Sequence, residues 1–153
     1  LAAGEIEIMT ERHCYDWPRP AVTTDVAVFS DRDEAACILL IRRGHDPFAG
    51  AWALPGGFLD EDETLEACAV RELLEETGLT AGPLRLFGTY SDPGRDPRGR
   101  TLTVAYWTTA KEGTGEARAG DDAADCRWFP LDDLPELAFD HDWIIADAVR
   151  ARR

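Results

Sequence analysis

Apolar and polar residues alternate from Ala21 to Phe29, with Thr24, Val26 and Val28 against Asp25, Ala27 and Phe29. Period two predicts a strand. Ser30 to Glu34 reads as a polar turn, and the continuous apolar run Ala36–Ile41 as a strand buried on both faces, with Arg42 and Arg43 at its exit. A short strand at Trp52–Leu54, broken by Pro55, delivers Gly56-Gly57 to a helix entrance; paired glycines permit a tight turn and a close approach. The helix runs from near Thr64 to Thr77, with Asp62 or Thr64 as N-cap and Gly78 free to turn left-handed at its end. Its rows Ala67/Val70/Leu74 and Leu65/Ala69/Leu73 predict a helix packed into the domain. Further strands are predicted at Pro83–Ser91, with Gly88 as a bulge, at Thr101–Thr108, and at Cys126–Phe129, ended by Pro130. Leu131–Leu137 reads as a helical turn. Ala138–Arg152 reads as a second helix, capped by Asp140 or Asp142, with Ile144, Ile145, Ala148 and Val149 as its apolar face. Strands interleaved with two helices predict an α/β chain with a mixed sheet between helical layers. The expected organisation is an N-terminal arm over 1–20 and a single domain over 21–153.

Glu72, Glu75 and Glu76 fall at i, i+3 and i+4 of the first helix, so three carboxylates share one arc. Like charges repel, and a hard divalent cation relieves them through oxygen ligands. Arg71, four residues before Glu75, is placed to brace it. Three carboxylates behind a glycine pair suit metal-assisted attack of water on phosphorus, with a carboxylate taking the proton. His45 and His141 read as surface or capping groups.

The spacing Gly57, Glu63, Arg71-Glu72-Leu73, Glu75-Glu76, Gly78-Leu79 resembles the signature of the Nudix hydrolases, with every fixed position filled. The resemblance implies an α/β/α sandwich and metal-dependent hydrolysis of a nucleoside diphosphate linked to another group. It implies Mg2+, or Mn2+ in its place, held by Glu72, Glu75, Glu76 and the backbone carbonyl of Gly56. It adds an acid from the later loop: Asp122, with Asp121 or Glu116 as alternatives. Catalysis then rests on Glu76, Glu75 and Asp122, the general base lying open between Glu76 and the loop acid. Gly57, Glu63, Arg71 and Gly78 take structural places. Two outer features, Arg19–Phe29 and the loop 91–100 with Pro93, look like the ADP-ribose pyrophosphatase group. The implied reaction cuts ADP-ribose to AMP and ribose 5-phosphate. Arg43, Arg95, Arg98 and Arg100 are candidate phosphate contacts, and Phe48, Trp52 and Tyr90 candidate adenine partners. The alternatives are a pyrophosphohydrolase for nucleoside triphosphates or other nucleotide sugars, and a non-catalytic ADP-ribose sensor. Such a sensor needs a DNA-binding extension, for which the stretch after the second helix is short.

Composition narrows the partners. A formal charge of −14 over 153 residues argues against nucleic acid and anionic membranes, though not against a small phosphate ester in one cleft. No apolar run reaches membrane-spanning length. Cys14, Cys37, Cys68 and Cys126 are widely spaced without a CxxC pair, so reduced thiols and a cytoplasmic protein are expected. The expected partner is a small nucleotide; the ADP-ribose group also implies a homodimer.

Overall fold

The computed structural model describes residues 14–32, 35–80, 82–110, 117–120 and 123–153. Its strands are β1 (Ala21–Arg32), β2 (Ala35–Arg43), β3 (Trp52–Ala53), β4 (Gly56–Phe58), β5 (Arg85–Tyr90), β6 (Thr101–Thr109) and β7 (Ala123–Pro130). The helices are α1 (Leu65–Thr77) and α2 (His141–Ala151). One sheet holds all seven strands in the order β3-β2-β1-β6-β5, with β4 also on β1 and β7 also on β2. The β1–β6 pairing is parallel and the others antiparallel, so the sheet is mixed.

The alternation along β1 sorts its side chains to two covered faces. Val26 and Val28 join Leu39, Val104 and Tyr106 against Ala69 and Leu73 of α1. Ala27 and Phe29 join Ile38, Leu40 and Ala105 against Ile144, Ile145 and Ala148 of α2. Helices on both faces make the sandwich, and β1 lies at its centre because both of its faces can be buried. Phe29 is fully enclosed, and a truncation to Ala there removes about 3 to 5 kcal/mol.

α1 begins where the Thr64 hydroxyl accepts the Ala67 N–H at 3.2 Å, and it ends at Gly78, whose φ of 69° favours a residue without Cβ. Gly88 lies at the irregularity in the β5–β6 register, as its position in the pattern suggested.

Several elements depart from the sequence expectation. The row Ala67/Val70/Leu74 faces solvent, with Leu74 51% exposed; burial goes to Leu65, Cys68, Ala69, Leu73 and Thr77. One helix on one face of a sheet needs only one apolar stripe. β1 continues through Ser30, which pairs with Cys37, because the antiparallel partner extends the ladder. β7 starts at Ala123 and runs along β2 from Arg43 to Cys37. Leu131–Leu137 forms a turn and a bend, and Leu137 bridges to Trp52. α2 starts at His141, because Phe139 takes a φ of 56° that no right-handed helix admits. Gly56 and Gly57 are strand residues in β4, opposite Asp25 and Thr24, and not a tight turn.

Candidate active site

A cavity of about 290 Å³ opens between the end of α1, the 91–100 loop and the start of α2. β1 supplies Thr23 and Asp25 to its wall, β4 the glycine pair and Phe58, and α1 Glu72 and Glu76. Arg43 comes from β2, Arg95, Asp96 and Arg98 from the loop, Thr103 from β6, and Phe139 and His141 from the approach to α2.

The glycine pair is required by proximity. A Cβ on Gly56 would come within 2.0 Å of the Thr24 carbonyl oxygen and 2.7 Å of Asp25 Oδ1. A Cβ on Gly57 would come within 2.3 Å of the Glu72 carboxylate. β4 therefore lies directly against the acids of α1. The Gly56 N–H donates to Glu76 Oε2 at 2.9 Å. Burial pushes the Glu76 carboxyl up to about 8; the Gly56 N–H pulls it down, and the charges of Glu72 and Asp25 push it further up. Glu72 is raised as well, by burial, against the pull of Arg71.

Arg71 is a hub. It donates to both oxygens of Glu63 at 3.0 and 2.5 Å, to Glu72 Oε1 at 2.7 Å, to Glu75 Oε2 at 3.2 Å and to the Phe58 carbonyl at 3.1 Å. The guanidinium fork holds the loop bearing Phe58 and Glu63 on the helix. It also holds the Glu63 carboxyl down at about 2. Glu75 is 59% exposed on its side chain and does not line the cavity.

Four residues beneath the acids carry no signal in the motif. Asp25 is 7% exposed inside β1, and His141 is 4% exposed at the start of α2. His141 Nδ1 accepts the Leu54 N–H at 2.9 Å, and its Nε2 stands 3.7 Å from Asp25 Oδ1. With Nδ1 accepting, the ring is neutral and carries its proton on Nε2; burial lowers its proton affinity. His141 is thus interior and not the surface or capping group its place near the start of the second helix suggested. Arg95 forks onto Asp140 at 2.8 and 2.6 Å and reaches Thr103 at 3.0 Å. That fork takes Asp140 away from capping: no side-chain bond from it closes the start of α2. A charged residue in an otherwise covered strand was the one available sequence sign of this network, at Asp25.

At the rim, the Arg98 guanidinium lies 4.9 Å from the Phe58 ring and 5.7 Å from that of Phe139. Arg43 lies 4.9 Å over Phe139, and Phe48 meets Phe139 edge-on at 4.8 Å. Phe48 is half-exposed beside the wall residue Phe139. Its φ is 62°; that conformation and the one at Phe139 are costly for bulky side chains. Among the other sequence candidates, Trp52 packs edge-on against Phe129 at 4.7 Å and lies outside the lining, where β3 pairs with β2. The Tyr90 hydroxyl donates to Asp147 at 2.8 Å, and Arg100 donates to the Ser91 carbonyl. Asp122, Asp121 and Glu116 lie outside the described residues.

Glu72 and Glu76 bring hard oxygen donors to one partly enclosed space, and burial raises the proton affinity of both; at Glu76 the charges of Glu72 and Asp25 add to it. A divalent cation would balance such carboxylates, and oxygen is the donor that Mg2+ or Mn2+ takes. Among the described residues no three of His, Cys, Asp and Glu already converge as a ligand set. Arg71 supplies a counter-charge to Glu72 and Glu75.

A mixed sheet between two helices, with a loop–helix–loop whose glycines and carboxylates meet in a cavity, is the arrangement of the Nudix fold. The chain belongs to that family: the NUDIX domain matches residues 19–150. Over 131 residues it is 46% identical to the ADP-ribose pyrophosphatase of Methanocaldococcus jannaschii, covering 86% of this chain and 74% of that one. It is 36% identical to the ADPR responsive transcriptional repressor NtrR of Acinetobacter baylyi, covering 87% of this chain but only 54% of the repressor. The NUDIX domain of Shewanella oneidensis NrtR, solved with ADP ribose, superposes with a TM-score of 0.84 at 32% identity, over 90% of this chain and 91% of that one.

Proposed function

We propose that this chain is a Mg2+-dependent pyrophosphohydrolase that cuts ADP-ribose into AMP and ribose 5-phosphate. The observation that carries the reading is the convergence of Gly56, Glu72 and Glu76 on one cavity, in a chain 46% identical to an ADP-ribose pyrophosphatase. Glu72, Glu76 and Gly56 would hold the metal, with Glu75 and Asp122 completing its ligands. Two neighbours in sequence support Asp122: the Gly120 N–H donates to the Glu76 carbonyl at 2.9 Å, and Ala123 N–H donates to Gly120 at 3.2 Å. A bound divalent cation supplies charge to the phosphate oxygens and acidity to a water. Glu76, buried with high proton affinity, is suited to take the proton of the attacking water. Arg43 and Arg98 at the rim are the cations for the diphosphate, and Arg95 holds the loop through Asp140.

The same reading has residues 21–153 as one catalytic unit behind an arm, working as a cytoplasmic homodimer on a small nucleotide and without nucleic acid. The charge of −14 supports the last point. Its test is a hydrolysis panel of ADP-ribose, other nucleotide sugars and nucleoside triphosphates, with Mg2+, with Mn2+ and with chelator, products identified by mass. Preferential release of AMP from ADP-ribose, abolished by chelation, is expected. Activity surviving exhaustive chelation rejects the metal reading, and preference for a triphosphate rejects the substrate. A second reading, an ADP-ribose sensor, is favoured by the 36% identity to the NtrR repressor. Tight ADP-ribose binding without turnover identifies it.

A further inference from the structure

The inner wall of the cavity is chemically unlike its rim. Arg43 and Arg98 stand with aromatic rings at the rim. The inner wall holds Asp25, Thr23 and Thr103, all less than a tenth exposed. An anionic diphosphate is repelled by the Asp25 carboxylate, which adds to the field of Glu72 and Glu76. A nucleobase needs a ring face, and His141 beside Asp25 has its ring engaged with Phe139 at 5.5 Å. The Thr23 and Thr103 hydroxyls bond each other and Arg95 donates to Thr103, so the open acceptors on this wall belong to Asp25 and Thr23; they suit a neutral group rich in O–H donors.

Asp25 also has acceptor capacity to spare. A carboxylate accepts about four hydrogen bonds. Thr103 supplies one, while His141 Nε2 at 3.7 Å is beyond hydrogen-bond range. Arg95 is forked onto Asp140 and Thr103. Gly56 leaves the space in which Oδ1 sits, since a Cβ there would be 2.7 Å away. That space adjoins the carboxylates at which the diphosphate would be cut.

We infer that Asp25, with Thr23, reads the hydroxyls of the terminal ribose of the substrate and so determines specificity for a sugar on the far side of the diphosphate. The inference rests on the ADP-ribose reading above. It places the nucleoside toward Phe58, Arg98 and Phe139 and the second sugar on the floor.

The test compares ADP-ribose with two analogues, one lacking a hydroxyl on the terminal ribose and one lacking a hydroxyl on the adenosine ribose. Both kcat/KM with Mg2+ and Kd in chelator are measured, the latter by calorimetry. For the intact protein, loss of the terminal hydroxyl is expected to cost about tenfold to a hundredfold in both measures, as for a hydrogen bond to a charged group. Loss of the adenosine hydroxyl should cost far less. Asp25→Asn and Thr23→Val should weaken ADP-ribose but leave the terminal-deoxy analogue almost unchanged, so that the discrimination disappears. Thr23→Val keeps the shape of its side chain and serves if Asp25→Asn does not fold. Equal losses for all three ligands in a folded variant would make Asp25 merely structural and overturn the inference, as would discrimination at the adenosine ribose instead. Discrimination in Kd without any turnover rejects the enzyme and keeps Asp25. Turnover without discrimination does the reverse, and no binding at all rejects both.

Discussion

The Gly56 N–H and Glu76 Oε2, 20 residues apart in sequence, are joined by a 2.9 Å hydrogen bond. That bond closes the loop–helix–loop on itself. It holds the most deeply set acid of α1 against the first glycine of the pair, so the position of Glu76 depends on β4 as much as on the helix. The bond also explains how an acid with its carboxyl pushed up to about 8 keeps a fixed direction.

Replacing Glu76 with Gln keeps the shape and removes the carboxylate that would hold the metal or take the proton. We expect kcat to fall by about two decades or more while the melting temperature holds, since the Gln oxygen still accepts the Gly56 N–H. Steady-state kinetics beside thermal melts measure this. The same substitution at Glu75, which is exposed and bound to Arg71, should also cut turnover by about two decades if it completes the metal ligands. Full activity in both variants would sink the assigned metal site.

Gly57→Ala separates geometry from charge. Its Cβ would overlap the Glu72 carboxylate, whose flexible end can move aside, so activity should drop more than stability. Gly56→Ala meets the Thr24 backbone instead and cannot be accommodated that way. It should destabilise by about 1 to 3 kcal/mol, as overpacking does. Denaturant melts of the pair check the contrast.

Arg71→Met keeps much of the stem and removes the fork that ties Glu63, Glu72 and Glu75 together. The hub is partly exposed, so solvent screening limits the loss to about 1 to 2 kcal/mol. That corresponds to about 2 to 8 °C in Tm for a chain of this size. Arg71→Lys should restore charge but not the melting temperature, because a point charge cannot fork.

Acid sensitivity follows from Glu63. Its carboxyl is held at about 2 in the folded chain, against an ordinary 4.5, chiefly by Arg71. A depressed carboxyl contributes stability that is present above 4.5 and is lost as pH falls toward 2. The melting temperature of the intact chain should therefore exceed that of Glu63→Gln at neutral pH, and the gap should close through this window. A constant gap would reject the pairing.

Loss of the Leu54 acceptor is a separate matter. His141→Leu leaves the Leu54 N–H buried without its partner, and we expect a cost of about 1 to 3 kcal/mol. Amide hydrogen exchange at Leu54 should quicken by the same margin.

The local devices were legible in the chain alone. The 3.6-residue period and Gly78 mark the end of α1 at Thr77, and of the two cap candidates, Asp62 and Thr64, the structure uses Thr64. Period two along β1 and β6 defines strands, and the signature spacing marks the acids, because each of these is a relation between near neighbours in the chain. Which faces meet is settled only by packing at long range. The row Ala67/Val70/Leu74 looked as apolar as its neighbour, yet one sheet face has room for only one stripe. The glycine pair promised a turn, but it is needed because β1 and α1 approach β4 from opposite sides. Asp25 and His141 come together across 116 positions of chain, His141 having followed α2 onto the sheet. No local pattern encodes that meeting; it follows from the parallel pairing of β1 with β6 and the packing of α2 on the same face.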